Sequence, residues 1–167
     1  SLLCMMRAVR GDILSMASAG DFDVIVHGCN CFNTMGAGIA LKIKRRFPAA
    51  YRADLATKKG CRQKLGTFSQ ATITLPMPVV QSEASTSRRK LTIINAYTQY
   101  NYRGRGRKTD YDAIMHVFRK IKRDFSGKRI GYPLIGAGLG GGDWDTISNI
   151  IDSELDGEDH TLVKFEK

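Results

Sequence analysis

What the chain lacks narrows it before any motif is weighed. Its four cysteines (Cys4, Cys29, Cys31 and Cys61) form no CxxC pair and no disulfide-scaffold spacing, so a stapled secreted fold is excluded and reduced thiols are expected. The CxC of Cys29 and Cys31, even with His27 nearby, lacks the spacing of a zinc site, and no metal is expected. No uninterrupted apolar run reaches membrane-spanning length, and SLLCMMR is too short for a signal peptide before charge intervenes. Internal repeats and low-complexity tracts do not stand out. No glycine cluster is followed by Lys and Ser or Thr, which rules out a Walker A loop. Acidic residues are also scarce: 16 Asp and Glu against 26 Lys and Arg leave a formal charge of +10.

That excess points to an anionic partner, whether nucleotide, nucleic acid or polymeric phosphate, without choosing among them. It concentrates in KIKRRF (Lys42 to Phe47), SRRK (Ser87 to Lys90), RGRGRK (Arg103 to Lys108) and RKIKRDF (Arg119 to Phe125). Solvated helix faces and loop tips account for most of it. A 43% hydrophobic content in 167 residues suits one core, so the expectation is a single domain over residues 1–167 in a soluble, cytoplasmic protein with no membrane partner.

Strand and helix patterns alternate along the chain. MMRAVRGDI reads as a strand leading into an irregular stretch, LSMASAGD, and VIVHGC as a second strand. IALKIKRRF sets Ile39, Leu41, Ile43 and Phe47 among charges at helical spacing; Pro48 interrupts it before AAYRADLATKKG resumes. FSQATITLP and KLTIINAYT read as a strand hairpin around a hydrophilic loop from Gln81 to Lys90. TDYDAIMHVFRKIKRDF carries a clean helical stripe at Ile114, Val117, Phe118 and Ile121. RIGYPLI then reads as a buried strand, DWDTISNIIDSEL as the last helix and HTLVKFE as the last strand. Such alternation predicts an α/β sheet covered on both faces.

In a sheet of that kind ligands bind beyond the carboxyl ends of the strands. Two of those segments are glycine-rich and each opens a helix: HGCNCFNTMGAG after the second strand and GAGLGGGDW after the fifth. The amides of a helix N-terminus, unobstructed by side chains, attract anions, and two such loops have the means to hold one diphosphate. Gly136, Gly138 and Gly141 also satisfy GxGxxG, but a Rossmann fingerprint follows the first strand, whereas here only about one helix and one strand remain.

Four ordered blocks, GDI at Gly11 to Ile13, VIVHGCNCFNTMGAGIA at Val24 to Ala40, NAYTQ at Asn95 to Gln99 and PLIGAGLGGGDW at Pro133 to Trp144, make the chain resemble the macro domain family of ADP-ribose-binding modules. The resemblance implies a three-layer α/β/α sandwich with a central mixed sheet. It implies that Asp12 accepts from the adenine amino group, that Ile13 lies against the ring and that Phe165 is the aromatic over it. Asn30 is then the distal-ribose contact. Gly36, Ala37, Gly38 and Ile39 match the first phosphate loop, and Gly136, Ala137, Gly138, Leu139, Gly140 and Gly141 the second.

Departures from the family bear on the activity. Ala40 stands where members that free acidic side chains carry an aspartate, and Gln99 where a DNA- and glutamate-directed subgroup carries a lysine; glutamine forms no Schiff base. The HGCNC run with its histidine resembles the subgroup that hydrolyses ADP-ribose-1″-phosphate. On that resemblance the expected catalytic set is His27 as proton donor or water-positioning group, Asn30, and Asp143, which caps the helix at Trp144 and orients a water near the distal phosphate. His116 and His160 receive no role. The expected activity is ADP-ribose-1″-phosphate hydrolysis without a cofactor. The alternatives are a mono-ADP-ribosyl glycohydrolase acting on ADP-ribosylated protein or nucleic acid, and a reader that binds ADP-ribose or poly(ADP-ribose) without turnover. A basic nucleic-acid-binding protein rests on charge and RGRGRK alone.

Overall fold

A computed structural model describes residues 6–76 and 89–166. In chain order the elements are β1 (Arg7–Gly11), α1 (Ile13–Ala19), β2 (Val24–Cys29), α2 (Gly38–Arg46), α3 (Pro48–Leu55), β3 (Phe68–Leu75), β4 (Arg89–Tyr97), α4 (Tyr111–Phe125), β5 (Ile130–Tyr132), α5 (Trp144–Glu154) and β6 (His160–Phe165). A 3₁₀ turn at Arg62–Lys64 precedes β3. The strands form one sheet in the order β1-β6-β5-β2-β4-β3, parallel throughout except for the β3–β4 pair. This is the mixed sheet expected. The described ends of the β3–β4 hairpin pair as read, and the tip of the Gln81 to Lys90 loop lies outside the described residues.

Alternation along the central strands divides the core. Ile25 of β2 and Ile93 of β4 pack under α1, α2 and α3, together with Ile13, Leu14, Ile43 and Ala50. Val24 and Val26, and Ile94 and Ala96, face the other way onto Ile114, Val117, Phe118 and Ile121 of α4 and Ile147 and Ile151 of α5. Strands buried on both faces read as continuous apolar runs, which is why Val24, Ile25 and Val26, and Ile93 and Ile94, follow one another without polar alternation. Each fully buried side chain contributes about 1.5–3 kcal/mol relative to exposure.

Two segments depart from the sequence reading. LSMASAGD is a helix rather than an irregular stretch: Asp12 Oδ1 accepts from the Leu14 and Ser15 amides at 3.0 and 3.3 Å, Ile13, Leu14 and Ala17 are buried, and Gly20 closes the last turn. RIGYPLI forms only a three-residue strand, because Pro133 has no N–H to continue the ladder. Pro48 does separate two helices, standing at the first turn of α3 where its missing N–H costs nothing.

The crevice follows from chain direction. After β2 the chain turns into α2 on one face of the sheet, while after β4 and β5 it turns into α4 and α5 on the other. The loops leaving these three adjacent strands therefore splay apart at one end of the sheet, the place where α/β folds take ligands.

Phe118 is fully buried, with its ring edge-on to Tyr132 at 5.8 Å. Phe118→Ala is expected to lower unfolding stability by about 3–5 kcal/mol, read as a shift of the denaturant midpoint at unchanged slope.

Candidate functional site

The first loop is braced from within. Asn30 Oδ1 accepts from the Phe32 amide and its Nδ2 donates to Thr34 Oγ1, both at 2.8 Å. Asn33 adopts a left-handed backbone (φ 57°), donates to the Thr57 carbonyl at 3.0 Å and accepts from Lys64 Nζ at 2.7 Å. These bonds present Gly36, Ala37 and Gly38 at the surface, where α2 begins. Aspartates 12, 110 and 143 cap α1, α4 and α5, but no side chain caps α2. Its first amides are left for a ligand or solvent, which makes this end the electropositive wall of the crevice.

The second loop is packed rather than loose. Thr109 Oγ1 donates to the Gly136 carbonyl at 2.7 Å, and the Gly142 amide returns to that carbonyl at 2.8 Å. The amides of Lys108 and Thr109 donate to the Gly140 carbonyl at 2.8 and 3.1 Å. A Cβ on Gly140 would stand 2.3 Å from Thr109 Oγ1, so only glycine lets the two segments meet. Leu139, 74% exposed, reaches back toward Gly38 of the first loop.

Between the loops lie two adjoining chambers of about 420 and 320 Å³ that share Gly28, Ala37, Ala40, Gln99 and Leu139. The larger is lined by polar groups from separate elements: Asn30, Thr34, Asp54, Gln99, Tyr102 and Lys108. The smaller runs between the glycine loops toward Val163 and Phe165. On its floor Thr98 Oγ1 is buried without a hydrogen-bond partner among the described residues. Such an orphan costs about 1–3 kcal/mol unless a ligand or water satisfies it.

Most of the expected residues converge here. Asn30, Gly36 and Ala37 line the larger chamber; Gly38, Ile39, Gly136, Gly138, Leu139, Gly140 and Phe165 line the smaller. Ala137 packs instead against the α4–α5 core, and Gly141, its amide bonded to the Gly138 carbonyl at 3.1 Å, lines neither chamber. Asp12 and Ile13 stand just beyond the lining. Gly11 pairs with Phe165 across β1 and β6, which sets Asp12 beside that end of the cleft, while Ile13 is 6% exposed in the core.

Two catalytic expectations are corrected. His27 does not reach the crevice: it is 1% exposed, on the strand face beneath α3, with Nε2 at 2.7 Å from Asn95 Oδ1. Burial pulls its pKa down to about 4, against the Asn95 hydrogen bond, so the imidazole is neutral near pH 7, and it lines neither chamber. Asp143 is a helix cap, its Oδ2 accepting from the Thr146 amide and hydroxyl at 3.0 and 2.8 Å, and it lines neither chamber. Those same bonds hold its carboxyl below the ordinary range. Sequence reasoning missed Asp54, Thr98, Tyr102 and Lys108. Lys108 had been absorbed into a solvated basic loop, and Asp54 carries no motif signal at all.

One buried thiol, Cys29, lines the larger chamber, while Cys31 lies in the core behind it. Cys29 and Cys31 are free, and burial raises both above the ordinary thiol range, Cys31 to about 11. Among the described residues no group of three or more His, Cys, Asp or Glu is placed to hold a metal ion, and no helix is long and apolar enough to cross a membrane.

An α/β/α sandwich with paired glycine loops over a crevice at the ends of its middle strands defines an anion-binding domain of the nucleotide-handling kind. The Macro domain family matches residues 26–151, and the chain belongs to it. It is 32% identical over 167 residues to a 17.5 kDa protein of the tk-vs intergenic region of Enterobacteria phage T4, covering 97% of each chain. It is 28% identical over 143 residues to the DNA ADP-ribosyl glycohydrolase of Mycobacterium tuberculosis, which takes in 86% of this chain but only 36% of that protein. Shorter matches of 36% identity over 47 residues reach an ADP-ribose 1″-phosphate phosphatase of Meyerozyma guilliermondii, 28% of this chain and 26% of that one. The fold superposes on the macrodomain of Mycobacterium tuberculosis DarG with a TM-score of 0.67 at 23% identity, covering 95% of this chain and 97% of that one.

The buried histidine has a measurable consequence. The unfolded chain protonates His27 as pH falls through its ordinary 6.5, whereas the folded protein resists until about 4, so folding stability declines across that window. The contribution is on the order of 3 kcal/mol by pH 4. His27→Gln is expected to flatten that part of the stability–pH curve, measured by denaturant unfolding from pH 7 to pH 4. An unchanged slope in the variant would show that His27 is not the titrating group.

Proposed function

We propose that this domain binds ADP-ribose and hydrolyses ADP-ribose-1″-phosphate to ADP-ribose and phosphate. The observation that carries the binding step is the uncapped start of α2, facing the second glycine loop across a continuous cleft. A diphosphate between the loops satisfies the α2 amides and offers a partner to Thr98 Oγ1. Adenine then lies toward Phe165, whose ring also carries Lys42 Nζ at 4.1 Å, with Oδ2 of Asp12, which has no hydrogen-bond partner among the described residues, placed to accept from its amino group. The distal ribose enters the larger chamber beside Asn30, where Lys108 supplies a cation for a 1″-phosphate. Loop amides stabilise charge on the transferring phosphoryl group.

A second reading, removal of ADP-ribose from nucleic acid or protein, is supported by the length of the likeness to the mycobacterial glycohydrolase. Gln99 in place of the subgroup's lysine counts against that chemistry. Binding without turnover remains the reader alternative.

A calorimetric titration with ADP-ribose, followed by an assay of phosphate release from the 1″-phosphate, tests the reading. Saturable binding with phosphate release is expected. Binding without release from that substrate, but with ADP-ribose freed from a modified nucleic acid or protein, would move the assignment to the glycohydrolase. Two variants test the pose. Asp12→Ala is expected to weaken ADP-ribose by about tenfold or more, the loss of a hydrogen bond to a charged group costing about 1.5–3 kcal/mol. Gly138→Val is expected to abolish binding while the protein stays folded: beyond its chain neighbours no described atom lies within 4 Å of a Cβ there, so the side chain meets open space at the wall of the smaller chamber rather than the fold. Normal binding by Gly138→Val would sink the two-loop model.

A further inference from the structure

Asp54, in the last turn of α3, has no part in the scheme above. It is 1% exposed, yet it helps wall the larger chamber together with Asn30, Gln99 and Lys108. Its two oxygens have different surroundings. Oδ1 accepts a 2.7 Å hydrogen bond from Tyr97 Oη, while Oδ2 has no hydrogen-bond partner among the described residues and is not sealed from the chamber. Tyr97 is held in turn by Ser69 Oγ at 2.8 Å. The charged and titratable groups around the carboxyl are Tyr97 of β4, Lys64 of the 3₁₀ turn, Cys29 at the end of β2, Cys31 of the first loop and Lys108 across the chamber. Lys64 directs its Nζ to Asn33 Oδ1 at 2.7 Å and to the Cys31 carbonyl at 3.3 Å.

Burial pushes the Asp54 carboxyl above its ordinary range, opposed by the Tyr97 hydrogen bond and the Lys64 charge. A dianionic phosphate in the same chamber pushes it further in that direction. Because Oδ1 is already an acceptor, the proton of the neutral acid sits on Oδ2, the oxygen that meets the chamber. We propose that Asp54 is the general acid of the hydrolysis, giving the Oδ2 proton to O1″ of the distal ribose. The assignment rests on the phosphatase reading of this chamber.

The step balances without a metal or co-reactant. Water attacks phosphorus and forms the new P–O bond; the P–O1″ bond breaks and its electron pair passes to O1″, which takes the Oδ2 proton. Both protons of the water leave with the phosphate as H₂PO₄⁻. That product loses one proton to solvent, and solvent reprotonates the Asp54 carboxylate.

The test is the pH dependence of kcat in wild type, Asp54→Asn and Tyr97→Phe, with ADP-ribose affinity measured alongside. A general acid makes wild-type kcat fall as pH rises through its pKa. Asp54→Asn is expected to bind ADP-ribose as wild type does, to lose about 10²–10⁴-fold in kcat, and to lose that alkaline fall. Tyr97→Phe removes a donor that pulls the carboxyl down, so its alkaline fall is expected at higher pH, a shift that a merely structural aspartate would not produce. Wild-type turnover by Asp54→Asn overturns the proposal, as does an alkaline fall that Tyr97→Phe leaves in place. If Asp54→Asn fails to fold, Tyr97→Phe decides. If wild type releases no phosphate, the phosphatase reading fails on its own. The carboxyl is then judged by its ¹³C titration in the ADP-ribose complex, where a midpoint at or below the ordinary carboxylate value overturns the assignment.

Discussion

The crevice depends on β2, where the chain leaves the sheet toward one face while its neighbours β4 and β5 leave toward the other. Because β2 is buried on both faces and hydrogen-bonded on both edges, its register with β4 and β5 is tightly specified, and a one-residue slip would exchange the two cores. The position of Asn30 and of the α2 N-terminus is therefore set first by the packing of Val24, Ile25 and Val26 and then by the hydrogen bonds that brace the loop.

Against that rigid base, the site retains unsatisfied polar groups. Three helices of this domain are closed at their N-termini by aspartates, a device worth about 1 kcal/mol each in typical proteins, while α2 forgoes one at the crevice. Thr98 Oγ1, buried and without a partner among the described residues, adds a second local cost on the same floor. Both are the kind of local inconsistency that a well-packed core tolerates where a ligand is to be held. Their coincidence in one cleft says more than either alone, since a missing cap elsewhere is commonplace.

How much of this was legible in the sequence varies by element. The α4 stripe at Ile114, Val117, Phe118 and Ile121 was readable because one face meets the sheet and the rest is wet. The glycine loops were readable because backbone approach requires small residues whatever the surroundings. By contrast α1 was missed: seven residues are too few to display a period, and its evidence is a cap at Asp12 that resembles a ligand contact. His27 was misjudged because strand parity alone does not say how far a residue lies from the strand's end; two residues further along, Cys29 is at the chamber and His27 is beneath α3. Asp54 and Lys108 were invisible for a different reason. Each reaches the chamber from a segment distant in sequence, and only the fold brings them together.

His27 still belongs to the site in an indirect sense. Asn95 Nδ2 donates to the Ala50 carbonyl at 2.9 Å, which fixes Oδ1 as the acceptor facing His27 and makes Nε2 the protonated ring nitrogen. The same Nδ2 lies 3.0 Å from Ser69 Oγ, Ser69 lies 2.8 Å from Tyr97 Oη, and Tyr97 donates to Asp54 at 2.7 Å. Donors and acceptors run in one consistent direction, from the Asn95 amide through Ser69 and Tyr97 to Oδ1 of the Asp54 carboxyl. Each bond in such a chain polarises the next in a low-dielectric interior. The histidine anchors the asparagine at the head of that chain, under the middle of the sheet. The carboxyl at its tail stands on the wall of the larger chamber, and so a buried polar layer that contributes no ligand contact determines which oxygen of Asp54 is left to meet one.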